Sequence, residues 1–464
     1  MDGIYRGPDY NIVQVTYVFL IDDDVLVIDV GDNYGIMEVM TASSSAVVLR
    51  NDEDTLDLDA DTKEQIMGNM YFRTADDDSV IRFYPMVEYT KPDTYEVRGS
   101  IVNLTGTSNS ELVWNALNFG AFWYDLDNDL QSEVLTLEAG VLNEAIDDRT
   151  IDEDALIYTT YAIYQEYELH ENENENLTVE SNNPGGDAGY WLEGWMGETY
   201  VAIDNNSDKL CKLLLEFEDD DRKTLFTGEK WDLGGGFALE LMDIADNGNA
   251  ATLRLFKNDA PLDGSLKCIT TNTVCRQDCV YTYTADIGGE ETIPVFSCYV
   301  DVTFKGDNIG YVQLMYAFLI DDEVMEIDTG DNYGIMEVMT ASRSGVTLRN
   351  NEDTLDLDTD TNEHIMGDIY FKTADDDTAI RFYPFVERTI GEGPTPPPTT
   401  IPATDIDGDG VPDVWDADNS TPSDYWVNSE GIGRKWGDVN GDGKLTSADA
   451  LMILQAAVEN IELG

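Results

Sequence analysis

Basic side chains are scarce in this sequence. Across 464 residues, 26 Lys+Arg stand against 94 Asp+Glu, which leaves a formal net charge of −68. A field of that sign repels phosphate backbones and anionic headgroups, so binding to nucleic acid or to a membrane surface is excluded. The natural small partners are cations, and the composition suits solubility in high salt, where neighbouring carboxylates are screened. Long apolar runs are also missing. A membrane span needs about 18–20 apolar residues, and the longest candidate, ADALMILQAAV at 448–458, is helix-length and interrupted. The opening MDGIYRGPDY has neither a basic start nor an apolar stretch, so the signal for export is expected elsewhere or upstream of residue 1.

Histidine occurs only at 170 and 364, and no GxSxG, HExxH or Gly-rich phosphate loop is present. Cysteine is limited to five residues without a CxxC pair: Cys268, Cys275, Cys279 and Cys298 cluster, and Cys211 stands apart. One or two disulfides stapling adjacent strands, with one thiol left over, are expected. The alternative is five unpaired cysteines, some buried as small hydrophobes.

Apolar content is sufficient for packed cores. Hydrophobic residues make up 42% and aromatics 10%, which excludes a disordered acidic tail. The length suits about three domains at roughly 150 residues each. A self-comparison fixes their arrangement: residues 17–88 realign on 316–387 without a gap, with about three quarters of the positions identical. GDNYGIMEVMTAS, EDTLDLD and IRFYP recur in step, so the chain holds the closing part of one unit followed by one complete unit.

The unit reads as strands. Residues 17–30 are rich in β-branched and aromatic residues around a turn-like DDD. Residues 46–58 alternate, with Val47, Leu49, Leu56 and Leu58 facing one way across an NDED turn, and 80–87 do likewise. Residues 253–256 and 280–284 read as further strands. One short helical turn is expected at 62–67 behind Asp61 as a cap. The fold class is therefore mainly β, as linked β-sandwich modules, with a small α-helical EF-hand-like module at the carboxyl end. The expected boundaries are 1–93 for a partial module and 94–390 for a complete module of two sandwich subdomains. A stiff Pro-rich linker follows at 391–403, then a calcium-loop module at 404–464.

The sharpest chemistry lies in that last segment. DVNGDGKLTSAD at 438–449 sets Asp438, Asn440, Asp442, Thr446 and Asp449 at positions 1, 3, 5, 9 and 12 of an EF-hand loop, with Gly443 at the sharp turn. Lys444 at position 7 contributes its backbone carbonyl. DIDGDGVPDVWD at 405–416 repeats the pattern with Asp405, Asp407, Asp409, Val411 (through its carbonyl), Asp413 and Asp416, although Pro412 replaces an orderly exit helix. A hard cation needs six or seven oxygens at this spacing, so calcium is the expected ligand of both loops. Without it the crowded carboxylates repel, so calcium should order the segment. Glycosylation acceptor patterns occur at Asn103, Asn176 and Asn205, and at Asn419, where Pro422 follows.

Two resemblances follow from quoted motifs. GDVNGDGKLTSADALMILQAAVENIE at 437–462 resembles one repeat of a type I dockerin. That implies a cohesin-bearing surface protein as partner, met by Ser447, Ala448, Leu451 and Met452 on the helix after the loop. TYEVRGSI, FGAFWYDLDNDLQSEVLTL, IMGDIYFKTADDD and IRFYPFVE, in that order within 94–387, resemble the tandem-duplicated S-layer domain of methanogenic archaea. The resemblance implies linked β-sandwiches that tile an extracellular surface beside neighbouring S-layer subunits, in proteins that normally end in a stalk and a membrane-spanning anchor. Here a Pro-rich spacer and calcium loops stand in that place, so no direct membrane span and no enzymatic activity are expected. The rival reading is a carbohydrate-binding or carbohydrate-active protein carried by the dockerin-like tail. Its evidence would be Trp114, Phe122, Trp123, Tyr124, Trp191, Trp195 and Tyr200, of which Trp191 and Trp195 are the better candidates for exposed contact. The DLDND run at 125–129 reads as a solvated face rather than a further cation site.

Overall fold

A computed structural model describes residues 25–390 apart from 53, 77–78, 105, 107–109, 147, 174–187, 219–220, 272–275 and 307–308. It also describes strands Gly3–Arg6, Asn11–Gln14, Tyr425–Val427 and Gly433–Lys435. The chain separates into two compact units, Met1–Thr90 with Thr94–Thr389, and Lys91–Asp93 with Ile390–Gly464. The larger unit is mainly β. Strand formation follows the alternation in the sequence: Ile369–Thr373 buries every second residue, and Val134–Leu137 places Leu135 and Leu137 inside.

Two hydrophobic cores occupy the larger unit. The first lies between an eight-stranded sheet, centred on the long strands Glu290–Lys305 and Gly310–Glu326, and a five-stranded sheet centred on Phe237–Ile244 and Ala250–Lys257. Leu239, Leu241, Leu253 and Leu255 from one sheet meet Phe296, Val300, Val312 and Leu314 from the other. The second core lies between a six-stranded sheet and another five-stranded one. The six-stranded sheet runs Leu112–Asn115, Val134–Leu137, Leu156–Thr160, Gly345–Arg349, Met336–Ser342 and Asn332–Tyr333. The five-stranded sheet sets Val102–Leu104 beside Ile380–Ile390, then Ile369–Thr373 and Asn362–Met366, with Asp93–Arg98 also on Ile380–Ile390. Trp114, Phe371 and Phe382 interlock at its centre, with ring centroids 5.5, 6.1 and 5.1 Å apart. Each ring removed from water stabilises the fold by about 1.5–3 kcal/mol. The chain thus starts the second core with its residues before 162, builds the first while lending Trp195, Ala202 and Leu210 to the second, and returns from Ile327 onward to close the second.

The repeat is longer in space than in sequence. Gly3–Arg6 pairs with Asn11–Gln14 in the register Gly3↔Gln14 to Arg6↔Asn11, matching Val302↔Gln313 to Lys305↔Gly310 in the later copy. Both copies also hold the same crossover between sheets. Gly35 and Gly334 both lie at φ +64°, and a Cβ at Gly334 would sit 2.2 Å from the Ile365 carbonyl oxygen. Ile36 N–H donates to the Ile66 carbonyl at 3.1 Å, and Ile335 to Ile365 at 2.9 Å.

Three expectations are corrected. Residues 63–67 form strand Lys63–Met67 rather than a helical turn, because Met70–Thr74 pairs with it and the cross-strand ladder outweighs a weak local helix signal. After strand Val47–Arg50, the described residues among 51–58 form no strand. Among the described residues no disulfide forms. Cys211, Cys268 and Cys298 are free thiols, and Cys275 lies outside the described residues. Cys211 and Cys298 are completely buried, and burial pushes the Cys211 thiol up to about 12. The alternative of buried small hydrophobes is the one these two follow.

In the smaller unit, the described residues form one antiparallel hairpin, Tyr425–Val427 with Gly433–Lys435, between the two acidic loops. No described helix is long and apolar enough to cross a membrane.

Candidate functional site

The two cores meet at a buried carboxyl junction. Glu133 is fully enclosed at the entry to strand Val134–Leu137. Its Oε2 accepts from Trp123 N–H at 2.9 Å, and its Oε1 accepts from the Tyr158 hydroxyl at 2.8 Å and Gly197 N–H at 2.9 Å. Tyr158 in turn accepts from Met196 N–H at 3.1 Å. A second carboxyl, Glu193, lies within strand Gly189–Trp195 and is likewise fully buried. Neither of its oxygens has a hydrogen-bond partner, although the Ser207 and Thr160 hydroxyls lie beside it. Gly194 between them admits Glu133, since a Cβ there would sit 2.5 Å from Glu133 Oε2. Its N–H donates to Ser132 Oγ at 2.8 Å, and its carbonyl accepts from Thr160 Oγ1 at 2.7 Å.

Burial dominates the acidity of both groups, because a charge without solvent is costly. It pushes Glu133 up to about 7 against the pull of its three donors, and Glu193 up to about 8 with help from the neighbouring Glu133. At neutral pH, Glu193 is therefore a neutral acid that fits an apolar interior. The junction fastens the hairpin Gly189–Trp195/Glu198–Ala202 to the second core, where Trp195 packs on Tyr158 and Tyr333 with centroids 5.8 and 5.2 Å apart. The sequence held one signal for it that composition conceals: a Glu-Gly pair inside a run of large apolar residues, where glycine marks a close approach.

That arrangement corrects the sugar-platform expectation. Residues 189–195 are a strand rather than a loop, and Trp195 is buried with Trp114 and Phe122, while Trp191 is half-buried against Tyr164. The best candidates for exposed stacking are thus structural.

An acidic cleft of about 560 Å³ lies nearby, lined in part by Asp76, Asp125, Asp127, Glu168, Glu216 and Glu218. Its carboxylates are engaged locally. Asp125 Oδ1 accepts from the N–H groups of Asp127 (2.9 Å) and Asn128 (3.0 Å), Asp127 Oδ1 from Asp76 N–H (2.6 Å), and Asp129 Oδ1 from the Tyr124 hydroxyl (2.8 Å). Arg82 donates to the carbonyls of Leu126 (2.9 Å) and Asp127. The 125–129 run is a turn that seats the first copy against the complete module. Among the described residues no group of three or more His, Cys, Asp or Glu is placed to hold a metal ion.

The two histidines serve turns and surfaces. His364 Nε2 meets the Gly367 carbonyl at 2.8 Å, and in the first copy Gln65 Nε2 donates to the Gly68 carbonyl at the same 2.8 Å. A ring nitrogen and an amide thus perform one task, which explains why the two copies differ there. His170 Nδ1 lies 2.5 Å from Glu166 Oε1 on the surface.

All twelve residues expected to hold calcium lie outside the described residues: Asp405, Asp407, Asp409, Val411, Asp413, Asp416, Asp438, Asn440, Asp442, Lys444, Thr446 and Asp449. So do Ser447, Ala448, Leu451 and Met452, and the acceptor Asn176. Asn103 is exposed on strand Val102–Leu104. Asn205 is half-buried, and the Ser207 hydroxyl of its pattern is enclosed and accepts from Ala162 N–H at 3.1 Å. A glycan on Asn205 would have to be added before that contact closes.

Buried carboxyls used as joints, a histidine used as a turn cap and aromatics used as core define a repetitive β-sheet building block. The S-layer protein family model matches residues 1–76 and 103–375, and the chain belongs to that family. The major S-layer protein of Methanosarcina acetivorans is 32% identical over 404 residues, covering 84% of this chain and 55% of that protein. Its namesake in Methanosarcina barkeri is 31% identical over 401 residues, covering 85% and 55%. That of Methanosarcina mazei is 29% identical over 394 residues, covering 84% and 55%. The chain spans about half the length of the curated relatives it matches.

Proposed function

We propose that the chain is a non-enzymatic structural protein of an acidic archaeal envelope, placed outside the cell beside neighbouring S-layer subunits. The family match over both copies carries this reading. The architecture supports it: two hydrophobic cores, each enclosed by β-sheets, fold a chain whose net charge is −68. A coat of that charge passes cations and small neutral solutes and retards anions.

The tail supplies attachment. Two calcium ions bind at 405–416 and 438–449, and the helix after the second loop, through Ser447, Ala448, Leu451 and Met452, docks on a cohesin-bearing surface protein. The ligand spacing in both loops supports the calcium sites. Titration calorimetry of the full chain tests this: the double variant Asp438→Ala/Asp449→Ala should lose one of two calcium equivalents and all calcium-dependent binding to a cohesin. Unchanged stoichiometry would overturn the loop assignment and leave the family membership untouched.

A further inference from the structure

The acidic cleft gathers negative charge that nothing on its walls offsets. Seven Asp and Glu side chains line it, and among its described lining residues there is no Lys, Arg or His. Burial, and the like charge of Asp125, push the Glu216 carboxyl up to about 7 although the Tyr190 hydroxyl donates to it. Burial, with Asp127 and Glu216, pushes Glu218 up to about 7 as well. Carboxylates crowded away from bulk water in this way favour a cation among them. Yet they do not converge, since among the described residues no three are placed to hold a metal ion. A cation that suits them carries its charge at several separate points.

A neutral side chain supplies an independent observation. Gln165 lines the cleft and is only 5% exposed. In strand Ile163–Glu166 it stands opposite Tyr190, so it shares a sheet face with Tyr190 and Leu192, and that face forms one wall. Its side-chain amide makes no hydrogen bond to any described residue. Amides so enclosed ordinarily have a partner, and this one opens on the cleft beside the carboxyl that Tyr190 holds. Another wall is apolar: the half-buried rings of Trp123 and Phe217 pack against the first core and border the cleft. Such rings attract ammonium groups and shelter methylenes from water.

We propose that the cleft binds an elongated organic cation in which ammonium groups are joined by methylene chains. The ammonium groups meet Glu216 and Glu218, one N–H donates to the Gln165 amide oxygen, and the methylenes lie against Trp123 and Phe217. A compact divalent metal finds no converging oxygens there, and a zwitterion such as betaine would bring a carboxylate into a negative enclosure. The residues invoked all belong to the complete module, and the proposal rests neither on the calcium loops nor on the envelope role.

Titration calorimetry of the intact chain with spermidine tests this, at about 0.15 M salt so that the general negative surface is screened. One equivalent should bind with a dissociation constant of roughly tens of micromolar. Glu216→Gln combined with Glu218→Gln should weaken binding at least ~10-fold, and Gln165→Leu at least ~3-fold. Neither variant should lower the melting temperature, because one relieves like-charge crowding and the other removes an unpaired amide. Glu352→Gln combined with Asp353→Asn removes the same charge from an exposed bend that does not line the cleft, and should leave binding unchanged. No binding at about 1 mM spermidine, equal weakening by the two charge-removing pairs, or displacement by equimolar magnesium or betaine would overturn the proposal. So would self-association of the chain that the cleft substitutions abolish, since the occupant would then be a basic side chain of a second copy.

Discussion

Replacing Glu193 by glutamine tests the buried junction most directly. The substitution keeps the shape of the side chain and removes its titration. The folded protein holds the Glu193 carboxyl at about 8, against an ordinary value of 4.5. A pKa raised by folding means that the folded state binds the proton more tightly. The associated stability is fully present below the unfolded value and is lost as pH rises through the folded one. A shift of this size corresponds to at most about 5 kcal/mol, at 1.36 kcal/mol per unit, and coupling to Glu133, itself raised to about 7, divides that amount between the two groups. Near pH 4 both proteins carry a neutral group there. By pH 9 the wild type must ionise an enclosed carboxyl or resist unfolding less, and the variant escapes that penalty. Urea melts at half-unit intervals from pH 4 to 9 should show the gap between Glu193→Gln and wild type growing by several kcal/mol in favour of the variant. A gap that stays flat across this window would refute the assignment of a neutral, partnerless acid.

Two further predictions use the repeat as an internal control. Phe382→Ala should destabilise by about 3–5 kcal/mol, as expected for an aromatic removed from a closed core, and Phe83→Ala by roughly a third of that, because Phe83 is already 44% exposed. Thermal melts of the two variants side by side distinguish them, and equal losses would refute the difference in burial. His364→Gln should leave the melting temperature unchanged, since Gln65 makes the same turn contact in the first copy, whereas His364→Ala should cost about 1 kcal/mol for the missing hydrogen bond.

Period-two alternation made the fold class legible, and the strands at 253–256 and 280–284 lie where it placed them, within Ala250–Lys257 and Val280–Ile287. The internal match made the copies legible. Its start was underestimated because the first hairpin keeps only Gly7, Val13 and Gln14 in step with Gly306, Val312 and Gln313, while backbone pairing tolerates side-chain change. The helical turn at 62–67 failed because a polar-apolar alternation with a capping aspartate satisfies either element until a partner strand arrives. That Cys211, Cys268 and Cys298 are free thiols was not legible, because spacing along the chain says nothing of whether thiols face one another or fill separate pockets. The carboxyl junction was invisible for a different reason: among 94 acidic residues, two that fold inward carry no local mark. Only the glycine beside Glu193 set it apart.

The order in which the chain visits its two cores has a consequence for biosynthesis. Strand Val102–Leu104 is made early, yet its neighbour Ile380–Ile390 emerges only after the whole intervening layer pair has been translated. Contacts so distant in sequence form late and slowly. The nascent chain must therefore carry unzipped hydrophobic ribbons through most of its elongation, and its abundant negative charge keeps such intermediates apart until the final strand locks them in.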